Sequence, residues 1–240
     1  MSTGKRGSSI STARSRWPRD RRFFLCMAAA SVVATFVGFA PTYYLKTVYG
    51  APVLPALVHI HGILFTSWIL LLTAQTSLVA LRRTDLHRRI GIGGAILAGL
   101  MTVVAFPTSV GAVQRGTLPI ELLVVAMGTV VVFPVLVGTA LFYRRQAETH
   151  KRLMLIATAE LLGAGFFRWP VIRDQDQPLG AFVATDLAIV APLLIYDIVV
   201  HRRVYPATIM GGLFLIASQA LRMAIGGTET WLGFARWLTS

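Results

Sequence analysis

The chain has 240 residues, 55% of them apolar and only 14% charged, with a mean hydropathy of +0.66 and a formal net charge of +13. Soluble domains carry about 25% charged residues. The charges here are also bunched between long uncharged runs, which excludes a water-soluble globule and predicts a membrane protein. The lone cysteine, Cys26, excludes a disulfide framework, a Cys-based zinc site and CxxCH haem attachment. No P-loop, HExxH or GxSxG motif is present.

Residues 1–22 are rich in Ser, Thr and Arg and read as a disordered basic tail held near anionic lipid. Asp20-Arg21-Arg22-Phe23-Phe24-Leu25 is similar to a twin-arginine export signal. Six further spans favour plain cytoplasmic retention of the first one.

A helix crossing a hydrocarbon core about 30 Å thick needs about 20 apolar residues. Seven segments qualify: 23–45, 53–81, 89–113, 118–143, 151–169, 179–200 and 206–225. The expected fold is an all-α polytopic helix bundle at 23–225, followed by a short interfacial segment at 226–240. Pro52, Pro55, Pro119, Pro178 and Pro206 stand at span starts, where the missing N–H costs nothing. Pro107, Pro134 and Pro192 fall inside spans. Thr117 and Thr149 are expected N-caps of the fourth and fifth. Gly91-Ile92-Gly93-Gly94 suits a close helix contact better than a phosphate loop. Trp231, Phe234 and Leu238 share one face of the final short helix, which is expected at the outer interface.

Lys and Arg set the orientation. With seven spans, 17 of the 23 basic residues fall on one side and six on the other. This predicts a cytoplasmic amino terminus and an outer carboxy terminus in a bacterial inner membrane. The partners expected are the bilayer, with anionic lipid at the cytoplasmic face, and other membrane subunits, not nucleic acid.

Three loops on the basic side share a pattern: Leu86-His87-Arg88-Arg89, Thr149-His150-Lys151-Arg152 and Val200-His201-Arg202-Arg203. His61-Gly62-Ile63-Leu64-Phe65-Thr66-Ser67-Trp68, His87-Arg88-Arg89-Ile90-Gly91, His150-Lys151-Arg152-Leu153-Met154 and the tail from Pro206 through Gly226-Gly227-Thr228 resemble a family of uncharacterised bacterial multi-pass membrane proteins over residues 55–237. The resemblance implies a multi-pass fold and no activity. His150-Lys151-Arg152-Leu153-Met154 is also similar to an element of membrane proteins that assist cytochrome oxidase assembly.

Two readings of the loop histidines stand open. One is interfacial anchoring. The other is a cofactor site in which His87, His150 and His201 supply imidazoles for haem b, while Lys151 and Arg152 neutralise its propionates. Asp197 lies one turn before His201, within reach of its ring.

His61, Trp68 and Gln75 recur every seven residues as a polar-aromatic stripe, opposite His59. Ionisable groups within spans mark functional candidates. His61, Gln75, Glu160, Asp186, Gln219 and Arg222 form a candidate outer polar pocket, with Asp186 expected to meet Arg222. Glu160 stands mid-span with Arg168 as its nearest cation in sequence. Three functions remain: a haem- or quinol-linked redox or respiratory-assembly protein, a structural subunit, and a proton-coupled transporter or binder of a small molecule.

Overall fold

A computed structural model describes the backbone of residues 7–169 and 178–240, and the side chains of 19–169 and 183–240. Lys5, Arg6 and Arg173 of the charge count lie outside the described residues, as do all of residues 170–177. The chain folds into α1 (Gly7–Phe39), α2 (Ala56–Ala80), α3 (Thr84–Gln114), α4 (Leu123–Phe142), α5 (Ala147–Phe166), α6 (Pro178–Tyr196), α7 (Pro206–Gly226) and α8 (Glu229–Thr239). Wide π-type turns at Ala40–Tyr44 and Asp197–His201 extend α1 and α6, and a short 3-10 turn at Ile120–Leu122 leads into α4.

Six helical segments are long and apolar enough to cross a membrane: Arg19–Tyr44, Ala56–Ala80, Thr84–Gln114, Ile120–Phe142, Val183–His201 and Pro206–Gly226. The chain is therefore a multi-pass α-helical membrane protein. The seventh long helix, α5, carries Glu148, Lys151, Arg152 and Glu160 and falls outside that apolar class.

Its position explains its composition. α5 packs against α1, α4, α6 and α7, and 12 of its 20 residues are buried. α2 contacts α1 and α3; α3 contacts α4; α4 contacts α7; α7 contacts α6. Four helices thus pack directly on α5, and α2 and α3 complete the ring between α1 and α4. Their outward positions are apolar, including Ile63, Ile96, Val103, Val131, Ile195 and Met210, all exposed. α5 meets protein instead of solvent or lipid, so polar residues on it can be satisfied by neighbours.

Glycine sets one of these contacts. A Cβ on Gly38 of α1 would lie 2.3 Å from the carbonyl oxygen of Gly165, so α1 and α5 approach backbone to backbone. Pro107, Pro134 and Pro192 all lie within helices that continue past them.

Several local expectations shift. Helical geometry reaches back to Gly7, through the stretch read from sequence as a disordered tail. α5 begins at Ala147, so Thr149 lies inside its first turn instead of capping it. Thr117 donates to the carbonyl of Ala112 at the end of α3 and does not cap α4. On α8, Trp231 packs toward Val124 and Val125, and Ala235 is buried, while Phe234 and Trp237 are exposed. The expected Trp231–Phe234–Leu238 face is therefore split. The 100° helical step puts 231, 235 and 238 inward and 234 and 237 outward.

Candidate functional site

Two buried polar clusters lie along α5. The first joins the start of α5 to the end of α6. Arg152 is fully buried. Its Nε donates to both carboxylate oxygens of Asp197, at 3.1 and 3.2 Å, and its Nη2 also donates to Asp197. Nη1 donates to the backbone and carboxylate of Glu148. The guanidinium lies over the Tyr205 ring at 3.7 Å. Thr208 completes Asp197 with a 2.6 Å hydrogen bond. Asp197 was expected to orient His201 one turn later. The correction is that its oxygens are taken by Arg152 and Thr208, because a rigid guanidinium fork outcompetes an imidazole for a carboxylate.

His201 turns to Asp20 instead, with Nε2 3.1 Å from Oδ1, while its Nδ1 meets the Tyr205 hydroxyl at 3.3 Å. Asp20 also accepts from Tyr196 and from Lys151 Nζ, the latter at 2.8 Å. Lys151 bonds Glu148 as well, at 2.9 Å. Asp20, Glu148 and His201 could by spacing hold a metal ion, with ligand atoms within 4.8 Å of one another. The ammonium of Lys151 already bridges the two carboxylates, so a cation is built into the site. Asp20 went unread as a site residue. Its signal was present: it is the one acidic residue before Asp85, among seven basic ones.

The same end gathers other histidines. The His87 and His150 rings are 6.3 Å apart and nearly perpendicular. His150 Nδ1 contacts the Ala140 carbonyl at 2.8 Å. His87 Nδ1 is buried without a partner. The five residues of the candidate haem set therefore divide. His87 and His150 come together, while His201, Lys151 and Arg152 are engaged in the carboxylate network.

The second cluster lies deeper. Arg222 of α7 makes a two-pronged pair with Glu160 of α5: Nη1 to Oε1 at 2.8 Å and Nη2 to Oε2 at 3.1 Å. Nη1 also reaches the Val125 carbonyl at 3.1 Å, Nη2 the Ser218 hydroxyl at 2.7 Å, and Nε the Ser218 carbonyl at 3.1 Å. Thr129 donates to Glu160 at 2.7 Å. The side chain passes α4 where Gly128 leaves room: a Cβ there would sit 2.0 Å from Arg222 Cδ.

This arrangement corrects one expectation, the contact between Asp186 and Arg222. Arg222 pairs with Glu160 and not with Asp186, because Gly128 opens a path to α5. Glu160 is held by Arg222, not by Arg168, whose Nη1 turns back onto the Ala164 carbonyl. Asp186 is 1% exposed, and neither carboxylate oxygen has a hydrogen bond within 3.5 Å; the side-chain amide of Gln219 is the donor that faces it. Gln219, 2% exposed and equally bare at Oε1, lies against it.

Of the six pocket residues, Glu160, Asp186, Gln219 and Arg222 converge. His61 and Gln75 do not join them. They are 14 residues apart on α2, about 21 Å along the axis at 1.5 Å per residue. His61 stacks on Phe65 at 4.1 Å, and Gln75 lies beside Gly91 at the start of α3. Between them, Trp68 is buried and donates to Thr158 of α5 at 3.2 Å.

Fold and clusters together define a multi-pass membrane protein whose charged residues line a central helix. No protein-family model, curated protein or solved structure matches the chain.

Proposed function

We propose that the chain is a seven-span protein of the bacterial inner membrane, amino terminus cytoplasmic and carboxy terminus outside, that couples a small cation to the binding or passage of a small polar molecule. The packing of α5, the seventh long helix, among α1, α4, α6 and α7 supports the span count. The exposed arginines at 21, 22, 88, 89, 144, 145, 202 and 203 support the orientation and a contact with anionic lipid. Exposed Phe234 and Trp237 suit α8 to the outer interface.

One observation carries the functional reading: Asp186 is buried among helices with no cation paired to it and no hydrogen bond within 3.5 Å, facing the Gln219 amide. Helix glue accounts for the Glu160–Arg222 pair, but a buried carboxylate with no cation paired to it weakens a bundle and marks a functional candidate. Purified protein in vesicles tests this. An imposed pH or sodium gradient is expected to drive ion flux that Asp186→Asn reduces at least tenfold. Vesicles no leakier than protein-free controls, under every imposed gradient, would contradict it.

A second reading rests on His87 and His150. With Nδ1 of His150 against the Ala140 carbonyl, its Nε2 is the nitrogen left for a ligand. Two imidazoles 6.3 Å apart, from α3 and α5, suit haem b, in a redox or respiratory-assembly role linked to quinol. The purified protein would then show a Soret band that His150→Ala abolishes. A colourless protein unresponsive to added hemin would end this reading.

A further inference from the structure

The deep cluster has an unequal sharing of donors. All the nitrogens of Arg222 are occupied: Nε by the Ser218 carbonyl, Nη1 by Val125 and Glu160, Nη2 by Glu160 and the Ser218 hydroxyl. Glu160 and Arg222 therefore form a self-neutralised unit. Asp186 stands beside it with no hydrogen bond within 3.5 Å at either oxygen and only the Gln219 amide facing it among the described residues, and Gln219 Oε1 is itself buried without a partner. The charged groups acting on Asp186 are Glu160 from α5 and Arg222 from α7. With both of these ionised, the three side chains sum to one negative charge. A buried carboxylate that faces one neutral amide and no cation of its own is strongly disfavoured unless something positive joins it.

The donor set narrows what that is. Every unsatisfied atom is an oxygen acceptor, which selects a hard cation over a transition metal. One net negative charge selects a monovalent ion over calcium, whose sites carry more carboxylates. We propose that Asp186 and Gln219, beside the Glu160–Arg222 pair, form a binding site for a small monovalent cation, either a proton or sodium. A proton on Asp186 would give an O–H that donates to Gln219 Oε1, satisfying an orphan on each side. Sodium would draw on the same three oxygens. The site names the coupling ion of the function proposed above and rests on that reading only for its use in transport.

Binding can be measured without transport. The purified full chain in detergent is unfolded thermally in sodium chloride and in choline chloride of equal ionic strength. Infrared spectra follow a protonated carboxyl band and its shift in deuterated water. If sodium is the ligand, the melting temperature rises by several degrees in sodium over choline. If the proton is the ligand, salt identity has no effect and the carboxyl band is present. Asp186→Asn, nearly the same shape, removes whichever signal the native chain gives. Gln219→Leu keeps the carboxyl but lowers sodium affinity at least tenfold, or shifts the carboxyl band by removing its acceptor. A native chain with neither sodium response nor carboxyl band overturns the site, as does a signal unchanged in both variants. Because the native-chain measurement alone decides the first point, a variant that fails to fold does not protect the proposal. Binding without vesicle flux would defeat the transport reading and leave the site standing; flux retained in Asp186→Asn with no binding signal would do the reverse.

Discussion

Arg222 of α7 reaches Glu160 of α5 only by crossing the backbone of α4 at Gly128. The pair is 2.8 and 3.1 Å long, and a single methyl group at position 128 would overlap Arg222 Cδ. Three helices are thus pinned at one level of the bundle by one arginine and one missing side chain.

Gly128→Ala should therefore destabilise the protein, although glycine to alanine inside a helix ordinarily stabilises it by about 0.5–1 kcal/mol. Overpacking of this kind costs about 1–3 kcal/mol. Gly138, on the same helix, has nothing within 4 Å of an added Cβ. Gly138→Ala serves as the control and should be neutral or stabilising. Denaturant titration in mixed micelles compares them, and equal effects would show that Arg222 does not pass there.

The other buried arginine gives a prediction about chemical type. Arg152 uses its fork on Asp197 and its remaining nitrogen on Glu148. Arg152→Met strands a fully buried carboxylate, a loss of about 3–5 kcal/mol. Arg152→Lys should recover little, because an ammonium cannot present two parallel donors and loses the stacking on Tyr205. Full recovery by lysine, in yield and melting temperature, would mean that charge alone matters.

Topology is checked by labelling cysteines with an impermeant maleimide in a Cys26→Ser background. Asp85→Cys, Ala147→Cys and Arg203→Cys replace exposed residues at the basic end. They should label only after the membrane is permeabilised. Gly233→Cys on α8, where added atoms meet nothing, should label in intact cells. The opposite pattern would invert the orientation.

Much of the fold was legible because membrane physics writes it plainly. Prolines 55, 178 and 206 stand at or beside the starts of α2, α6 and α7, and long apolar runs mark the helices that face outward. α5 was legible as a long helix but not as the centre, since hydropathy reports how apolar a helix is and not what surrounds it. The deep candidates Glu160, Asp186, Gln219 and Arg222 stood out because ionisable and amide side chains are costly inside spans. Their pairing did not, because it depends on which helices are neighbours and on a glycine in a third one. His61 and Gln75 were grouped with them by a seven-residue repeat, which aligns residues on one face but spreads them along the axis. Asp20 was missed because a sequence eye follows the arginines beside it.

The most direct test of this account is a pair of double-mutant cycles on Arg222→Met, one with Glu160→Gln and one with Asp186→Asn, read as unfolding free energy in mixed micelles. The geometry predicts a coupling of about 2–3 kcal/mol between Arg222 and Glu160, with the double variant more stable than Arg222→Met alone. The coupling to Asp186, which shares no hydrogen bond with Arg222, should be at least about 1 kcal/mol smaller. A larger coupling to Asp186 than to Glu160 would contradict the arrangement of the deep cluster and the cation site built on it.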